Sequence, residues 1–188
     1  MTCGSSADLV LKGESVMNEV LNAISKRVSC RSFTQEEVSR EDIEKVVKAG
    51  LAGATGMNRQ SPIFLVITDR EVRDELSRIN AEIMGREGDP FYGAPMLIVV
   101  LADKSVPTHV YDGSIAMANM MLAASELGLG TCWIHRARET FEREEGKALL
   151  KKLGVEGEYE GIGNLILGHP NGELPQPKEK REGRVFCC

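Results

Sequence analysis

The sequence predicts an α+β fold, and three observations carry that expectation. Two helical patterns precede the first strand-like run. Four short apolar runs rich in β-branched residues follow, separated by amphipathic segments. The spacing departs from regular β-α-β winding and leaves the strand order open. A chain of 188 residues suits one domain of ordinary size with a substantial core. With 42% hydrophobic and 27% charged residues it is neither disordered nor fibrous.

The elements follow from periodicity and punctuation. Met17, Val20, Leu21 and Ile24 recur at helical spacing behind Ser15 as N-cap, so a first helix delivers the chain to Arg27. Ser39, with Asp42 three residues on, resembles a capping arrangement before Ile43, Val46 and Val47, and this second helix runs to about Leu51. A loop, Gly53 to Gln60, leads to a first strand from Ile63 to Thr68. Asp69 then caps a helix carrying Val72, Leu76, Ile79 and Ile83.

Gly85 to Gly93 is polar and turn-rich, an exposed connection or a lid. Met96 to Leu101 forms the second strand. Asp112 opens an apolar helix through Met117, Met120, Met121 and Leu127, closed by Gly128, and its breadth of apolar residues implies burial on more than one side. Its methionines suit core or dimer packing. Thr131 to Ile134 is the third strand, a helix spans about Thr140 to Leu153 before Gly154, and Ile162 to Leu167 is the fourth strand. The Pro-rich, charged tail beyond Gly172 cannot form a core alone and is either disordered or docked.

Charge excludes one class of partner and points to another. A net charge of −5 lacks the broad basic face that nucleic-acid binding requires. Yet two basic clusters stand out, Arg27-Val28-Ser29-Cys30-Arg31-Ser32-Phe33 and Lys178-Glu179-Lys180-Arg181-Glu182-Gly183-Arg184. Each alone reads as solvated surface charge; together they read as parts of one anion site, since Arg offers a planar fork of donors, Lys a point charge and Ser a neutral donor.

Cysteine and histidine positions show no metal-ligand or redox spacing, so no metal site is expected and the thiols are read as reduced. No apolar run reaches membrane-spanning length and no secretory signal opens the chain, so a cytoplasmic location is expected. Residues 1–16 are a natural extension, a mis-assigned start or an expression remnant.

Four segments now carry a resemblance. Arg27-Val28-Ser29-Cys30-Arg31-Ser32-Phe33 is similar to an R-x-S-x-R-x-F signature, and Asn58-Arg59-Gln60 to an N-x-Q loop. Gly128-Leu129-Gly130-Thr131-Cys132-Trp133-Ile134 is similar to a G-L-G-x-x-W-I segment, and Leu167-Gly168-His169-Pro170 with the basic tail to a closing G-[YH]-P and basic C-terminus. In this order they resemble the FMN-dependent nitroreductase family over most of the chain from Met17 onward.

The resemblance implies an α+β homodimer with a mixed sheet flanked by helices. Residues 17–188 would form one FMN-binding domain whose C-terminal arm, from about residue 172, embraces the partner. By the same resemblance Arg27 and Ser29 hold the FMN phosphate, Val28 lies in that motif, and Lys178, Lys180 and Arg181 complete the shell. Arg31 lies toward the pyrimidine edge of the flavin, Asn58 hydrogen-bonds that edge, and Gln60 supports the loop. Trp133, Ile134, His135 and Arg136 belong to the segment that brings a backbone N–H toward flavin N5 and O4, with Gly163 packed close to the cofactor or the strand. Trp133 is core or a stacking platform; His135 is surface or faces substrate.

The implied activity is hydride transfer from NADH or NADPH through FMN to a small electron-poor acceptor, a nitroaromatic or quinone, by a ping-pong mechanism. Alternatives are a non-redox FMN-binding or sensing module, and a specialised chemistry such as flavin destruction or reductive dehalogenation. Nucleic acid and membrane are not expected as partners. Three positions depart from the family pattern: Val28 stands at a site often polar or aromatic, Gly53-Ala54-Thr55-Gly56 replaces a Pro/Ser-containing approach to Asn58, and Ser61 replaces a frequent Pro.

Overall fold

The computed structural model describes residues 18–186. The expectations placed on residues 1–16, on Ser15 as a cap and on Met17 lie outside that range. The first described helix, α1 (Glu19–Lys26), is capped by Asn18, whose side chain accepts from the Leu21 N–H at 2.9 Å. Ala23 is its one buried residue, while Val20, Leu21 and Ile24 face solvent.

Helix α2 (Arg40–Leu51) begins as its sequence indicates. Ser39 Oγ accepts from the Asp42 N–H at 3.1 Å and donates to the Asp42 carboxylate at 2.8 Å. Strand β1 (Pro62–Ile67) leads into α3 (Arg70–Met84), capped by Asp69 through the Val72 N–H at 3.0 Å. Strand β2 (Met96–Asp103) precedes α4 (His109–Glu126), and Gly128 ends that helix in the left-handed conformation at φ 74°. Helix α4 starts three residues before Asp112, because the Asp112 side chain is turned into the protein instead of capping the helix. After β3 (Gly130–Ile134) come α5 (Ala137–Glu142), α6 (Glu144–Lys152) and β4 (Tyr159–Gly168).

The single helix expected from Thr140 to Leu153 is two. Arg143 is extended at ψ 158°, and the chain folds back so that Gly146 packs on Phe141; a Cβ there would lie 2.8 Å from the Phe141 Cα. Arg143 also crosses to α3, where its guanidinium meets Glu82 at 3.0 Å.

The strands pair in the order β1-β2-β4-β3, antiparallel at every described ladder. The mixed sheet implied by the resemblance would need a parallel strand, and none lies among the described residues. Between β2 and β4 the register shifts: Val100 faces Gly163 and Leu101 faces Gly161, so Ile162 is the extra residue of a bulge.

Central strands β2 and β4 are buried on both faces, which explains their unbroken apolar runs. One face packs Leu97, Val99 and Leu101 with Leu76 of α3 and Phe141 of α5. The other packs Ile98 and Val100 with Val46 of α2 and Met117 and Met120 of α4. The sheet is thus a middle layer between helices, and the α4 methionines are core.

The Gly85 to Gly93 connection is only partly exposed. Asp89 accepts from the N–H groups of Phe91 and Gly93 at 2.9 and 2.7 Å, and from Ser77 Oγ and Arg73 Nη2 at 2.5 Å each. Phe91 is buried in the core beneath the Arg73 guanidinium, 5.4 Å from ring centroid to Cζ. A polar composition concealed this anchor, and the segment is fastened at its C-terminal half.

Candidate active site

The first cationic segment leaves α1 at Arg27, its C-cap, and runs to β3 and the start of the tail. The Cys30 N–H donates to the Thr131 carbonyl at 2.8 Å, the Thr34 N–H to His169 at 2.9 Å, and the Asn171 N–H to Ser32 at 3.0 Å. Phe33 and Pro170 form an isolated antiparallel bridge. These bonds place Ser29, Cys30, Arg31 and Ser32 opposite Pro170 to Pro175 around a cavity of about 220 Å³.

Within this segment the side chains differ. Arg27, Val28 and Ser29 are half-buried, Arg31 is exposed and Cys30 is buried. The Arg27 Nη1 is cut off from solvent and has no hydrogen-bond partner among the described residues. An unpaired buried guanidinium donor is costly, and an anionic oxygen relieves it. The phosphate of FMN is such an anion, so the donor chemistry at Arg27 and Ser29 fits that group. Burial pushes the Cys30 thiol above its ordinary pKa, which makes it a neutral packed thiol.

The loop before β1 is a one-turn 3-10 segment, Gly56–Asn58, with an unusual backbone. Met57, Asn58 and Gln60 all have positive φ, at 53°, 54° and 50°. Residues with a Cβ adopt that region at a cost, and runs of them mark sites where the surroundings impose the geometry. Gln60 Nε2 donates to Asn58 Oδ1 at 3.3 Å, which supports the Asn58 amide and leaves its NH₂ for a ligand acceptor. Asn58 and Gln60 are both exposed.

The turn after β3 is held from beneath. Ile134 is buried, the His135 side chain is exposed, and Arg136 is left-handed at φ 75°. Asn80 of α3 donates to the His135 carbonyl at 2.8 Å, and Asn164 of β4 adds a longer contact at 3.4 Å. Thr140 Oγ1 donates to the Arg136 carbonyl at 2.8 Å. Trp133 is half-buried on the α4 side of the sheet, against Gly163, where a Cβ would lie 2.7 Å from the indole Cε2. Gly163 therefore makes room for Trp133, and the indole packs with the core cluster of α4.

The second cationic cluster stands apart. Residues 171–186 are exposed throughout, and Lys178, Lys180 and Arg181 make no ion pair or hydrogen bond among the described residues. The single chain thus brings the Arg27 segment to the root of the tail and leaves the tail cations outside. A wider cleft of about 650 Å³ lies along α3 and the Gly85 loop, away from these segments. Two of its arginines are engaged, Arg73 with Asp74 and Asp89 and Arg78 with Glu75 and Glu82, and the cleft is rimmed by the carboxylates of Asp74, Glu82, Glu87 and Asp89.

Sequence reasoning missed the polar residues beneath the site. Asn80 and Asn164 hold the His135 carbonyl, and Asp112 with Ser61 and Thr108 holds the Asn58 loop. The available signal was a polar residue inside an apolar pattern: Asn80 between Ile79 and Ile83, and Asn164 inside Ile162 to Leu167.

The chain is similar in sequence and fold to known proteins. A family model described as the nitroreductase family matches residues 24–169. A protein of Archaeoglobus fulgidus named NADH dehydrogenase/NAD(P)H nitroreductase is 33% identical over 163 residues, 84% of this chain and 88% of its own. The FMN reductase (NAD(P)H) of Bacillus subtilis is 25% identical over 177 residues, 82% of this chain and 67% of its own. A crystal structure of a nitroreductase with bound FMN from Bacteroides fragilis matches at a TM-score of 0.84 and 26% identity, over 92% of this chain and 100% of that one. The four motif segments, the helix-flanked sheet and the family match across most of the length agree, and the chain belongs to the nitroreductase family.

Proposed function

We propose that the chain is an NAD(P)H-dependent FMN oxidoreductase acting on nitroaromatic, quinone or related electron-poor acceptors. The observation that carries this reading is the buried Arg27 Nη1, unpaired among the described residues and two positions from Ser29, a cationic donor suited to an anion. When bound, FMN supplies the redox chemistry, taking a hydride from NADH or NADPH and passing it to the acceptor in ping-pong order. The chain's own residues do the rest. Arg27 and Ser29 bind the phosphate, Asn58 offers its amide to the pyrimidine edge with Arg31 nearby, and the Ile134-His135-Arg136 turn presents backbone to the reacting edge.

The same reading includes a homodimer. Val20, Leu21 and Ile24 of α1 and Val110, Tyr111 and Ile115 of α4 are exposed, an apolar surface suited to a second copy. The outward tail would carry Lys178, Lys180 and Arg181 to the partner's phosphate site. A cytoplasmic location agrees with the free thiols of Cys30 and Cys132. No described helix is long and apolar enough to cross a membrane.

The test is anaerobic. Purified protein should retain FMN, and NADH or NADPH should bleach the flavin absorbance, which a nitroaromatic or quinone then restores. Bound flavin that neither nucleotide bleaches overturns the proposal.

A further inference from the structure

Both ends of the Asn58 loop are tied to one carboxylate. The Gly56 N–H donates to Asp112 Oδ1 at 3.0 Å, and Ser61 Oγ donates to Oδ2 at 2.7 Å. Thr108 Oγ1 adds a third donor at 3.1 Å. Asp112 itself is 2% exposed and sits in the first turn of α4, so a rigid helix supplies the anchor. Ser61 is also buried and enters β1, where its carbonyl takes the Asp103 N–H at 3.0 Å.

Between Gly56 and Ser61 the backbone is strained. Three residues with side chains, Met57, Asn58 and Gln60, hold positive φ. Internal bonds shape the loop, Gln60 N–H to Thr55 Oγ1 at 3.1 Å and Arg59 N–H to the Gly56 carbonyl at 3.1 Å, but they do not attach it to the rest of the fold. Beside the bond from the Asp103 N–H to the Ser61 carbonyl, attachment comes through the Asp112 carboxylate, which reaches both ends of the loop. Left-handed geometry at such residues persists only where the surroundings over-determine it.

We infer that Asp112 is a positioning residue for the cofactor: by closing the Gly56 to Ser61 loop with Ser61 and Thr108, it holds the Asn58 amide ready for the flavin. The inference rests on the proposed contact between Asn58 and FMN. It also gives one departure from the family pattern, Ser61, a purpose. A proline at position 61 would lack the hydroxyl, and here Ser61 supplies the second tie.

The experiment compares Ser61→Ala, Asp112→Asn and Asn58→Ala, reading the FMN dissociation constant, the visible spectrum of bound FMN, and hydrogen exchange of residues 55–60 in the cofactor-free protein. Loss of a tie to the carboxylate should raise the FMN dissociation constant about tenfold in Ser61→Ala. Asp112→Asn should do at least as much, and in both variants the loop amides should exchange faster and the flavin bands should move. Asn58→Ala should weaken FMN too, and because it also removes the acceptor of the Gln60 Nε2 bond at a positive-φ position, its control readout is the FMN dissociation constant. If Asp112→Asn does not fold, Ser61→Ala carries the test, since it leaves Asp112 two donors.

A carboxylate that merely stabilises the fold would lower the melting temperature and leave the FMN constant, the spectrum and the loop exchange as in the wild type. That result overturns the inference alone, provided Asn58→Ala weakens FMN. An Asn58→Ala variant with unchanged FMN binding shows that the loop does not touch the flavin, and overturns the site reading together with the inference.

Discussion

Asn80, with no exposed surface, donates its side-chain amide to the His135 carbonyl at 2.8 Å, a tie between residues 55 apart in sequence. Asn164 backs the same carbonyl at 3.4 Å. Asn80→Ala should lower stability by about 1 to 2 kcal/mol in urea titrations, because it leaves a part-buried acceptor on the weaker contact. The double variant with Asn164→Ala should deviate from additivity by at least about 0.5 kcal/mol, since both amides serve one oxygen.

Acid should loosen the Gly85 connection. Burial alone would raise the Asp89 pKa, but the donors from Arg73, Ser77, Gly93 and Phe91 outweigh it and hold the carboxyl below its ordinary range. Asp112 behaves alike, with burial opposed by Ser61, Gly56 and Thr108. A depressed folded pKa means the stabilisation is complete above about pH 4 and is lost as the pH falls further. Urea midpoints should therefore hold between neutral pH and about pH 5 and drop below about pH 4, more gently in Asp89→Asn than in the wild type.

Removing Asp89 at neutral pH strands a largely buried cation. The Arg73 side chain is 9% exposed and would keep only Asp74 as an ionic partner. The Asp89 side chain is 34% exposed, so Asp89→Ala should cost about 2 kcal/mol, less than a fully buried broken pair. Denaturant unfolding measures it, and limited proteolysis should cut between Gly85 and Gly93.

Gly163→Ala should disturb the lone tryptophan. A methyl there would lie 2.7 Å from the Trp133 Cε2 and 3.0 Å from the Met117 Cε, so the indole must move. The expected cost is about 1–3 kcal/mol, with a shift of the intrinsic emission of Trp133.

Arg27→Ala should weaken FMN retention by about 1.5 to 3 kcal/mol, the range for a hydrogen bond to a charged group. Cys30→Ala should leave it nearly unchanged, because Cys30 packs in the core and its thiol is neutral. Equal FMN dissociation constants for the two variants would remove Arg27 from the phosphate site. Truncation before Lys178 should loosen both FMN and the dimer, read by flavin retention and by mass in solution.

Much of this was legible in the chain because local patterns decide it. Strand runs such as Met96 to Leu101 are apolar without alternation since β2 is covered on both faces, and Ser39 and Asp69 announce their helices by capping chemistry. The break at Arg143 was hidden, because apolar spacing continues across it and the cause is a backbone contact at Gly146. Phe91 was masked by polar neighbours, among them Asp89, whose charge is taken up by Arg73 across the fold. In the site, Arg27, Asn58 and the Trp133 segment were visible as motifs. Their supports Asn80, Asp112 and Asn164 were not, because each acts across the fold on a backbone group that no local pattern names.

The strand order has a consequence for synthesis. Strand β4 is the last of the described strands to leave the ribosome, yet it lies between β2 and β3. Until residues 159–168 emerge, among the described strands β2 has only β1 beside it and β3 has no neighbour, so the nascent chain holds an incomplete sheet with open apolar edges. Ribosome-bound chains halted before Tyr159 should bind a hydrophobic dye and chaperones, and chains halted well past Gly168 should not.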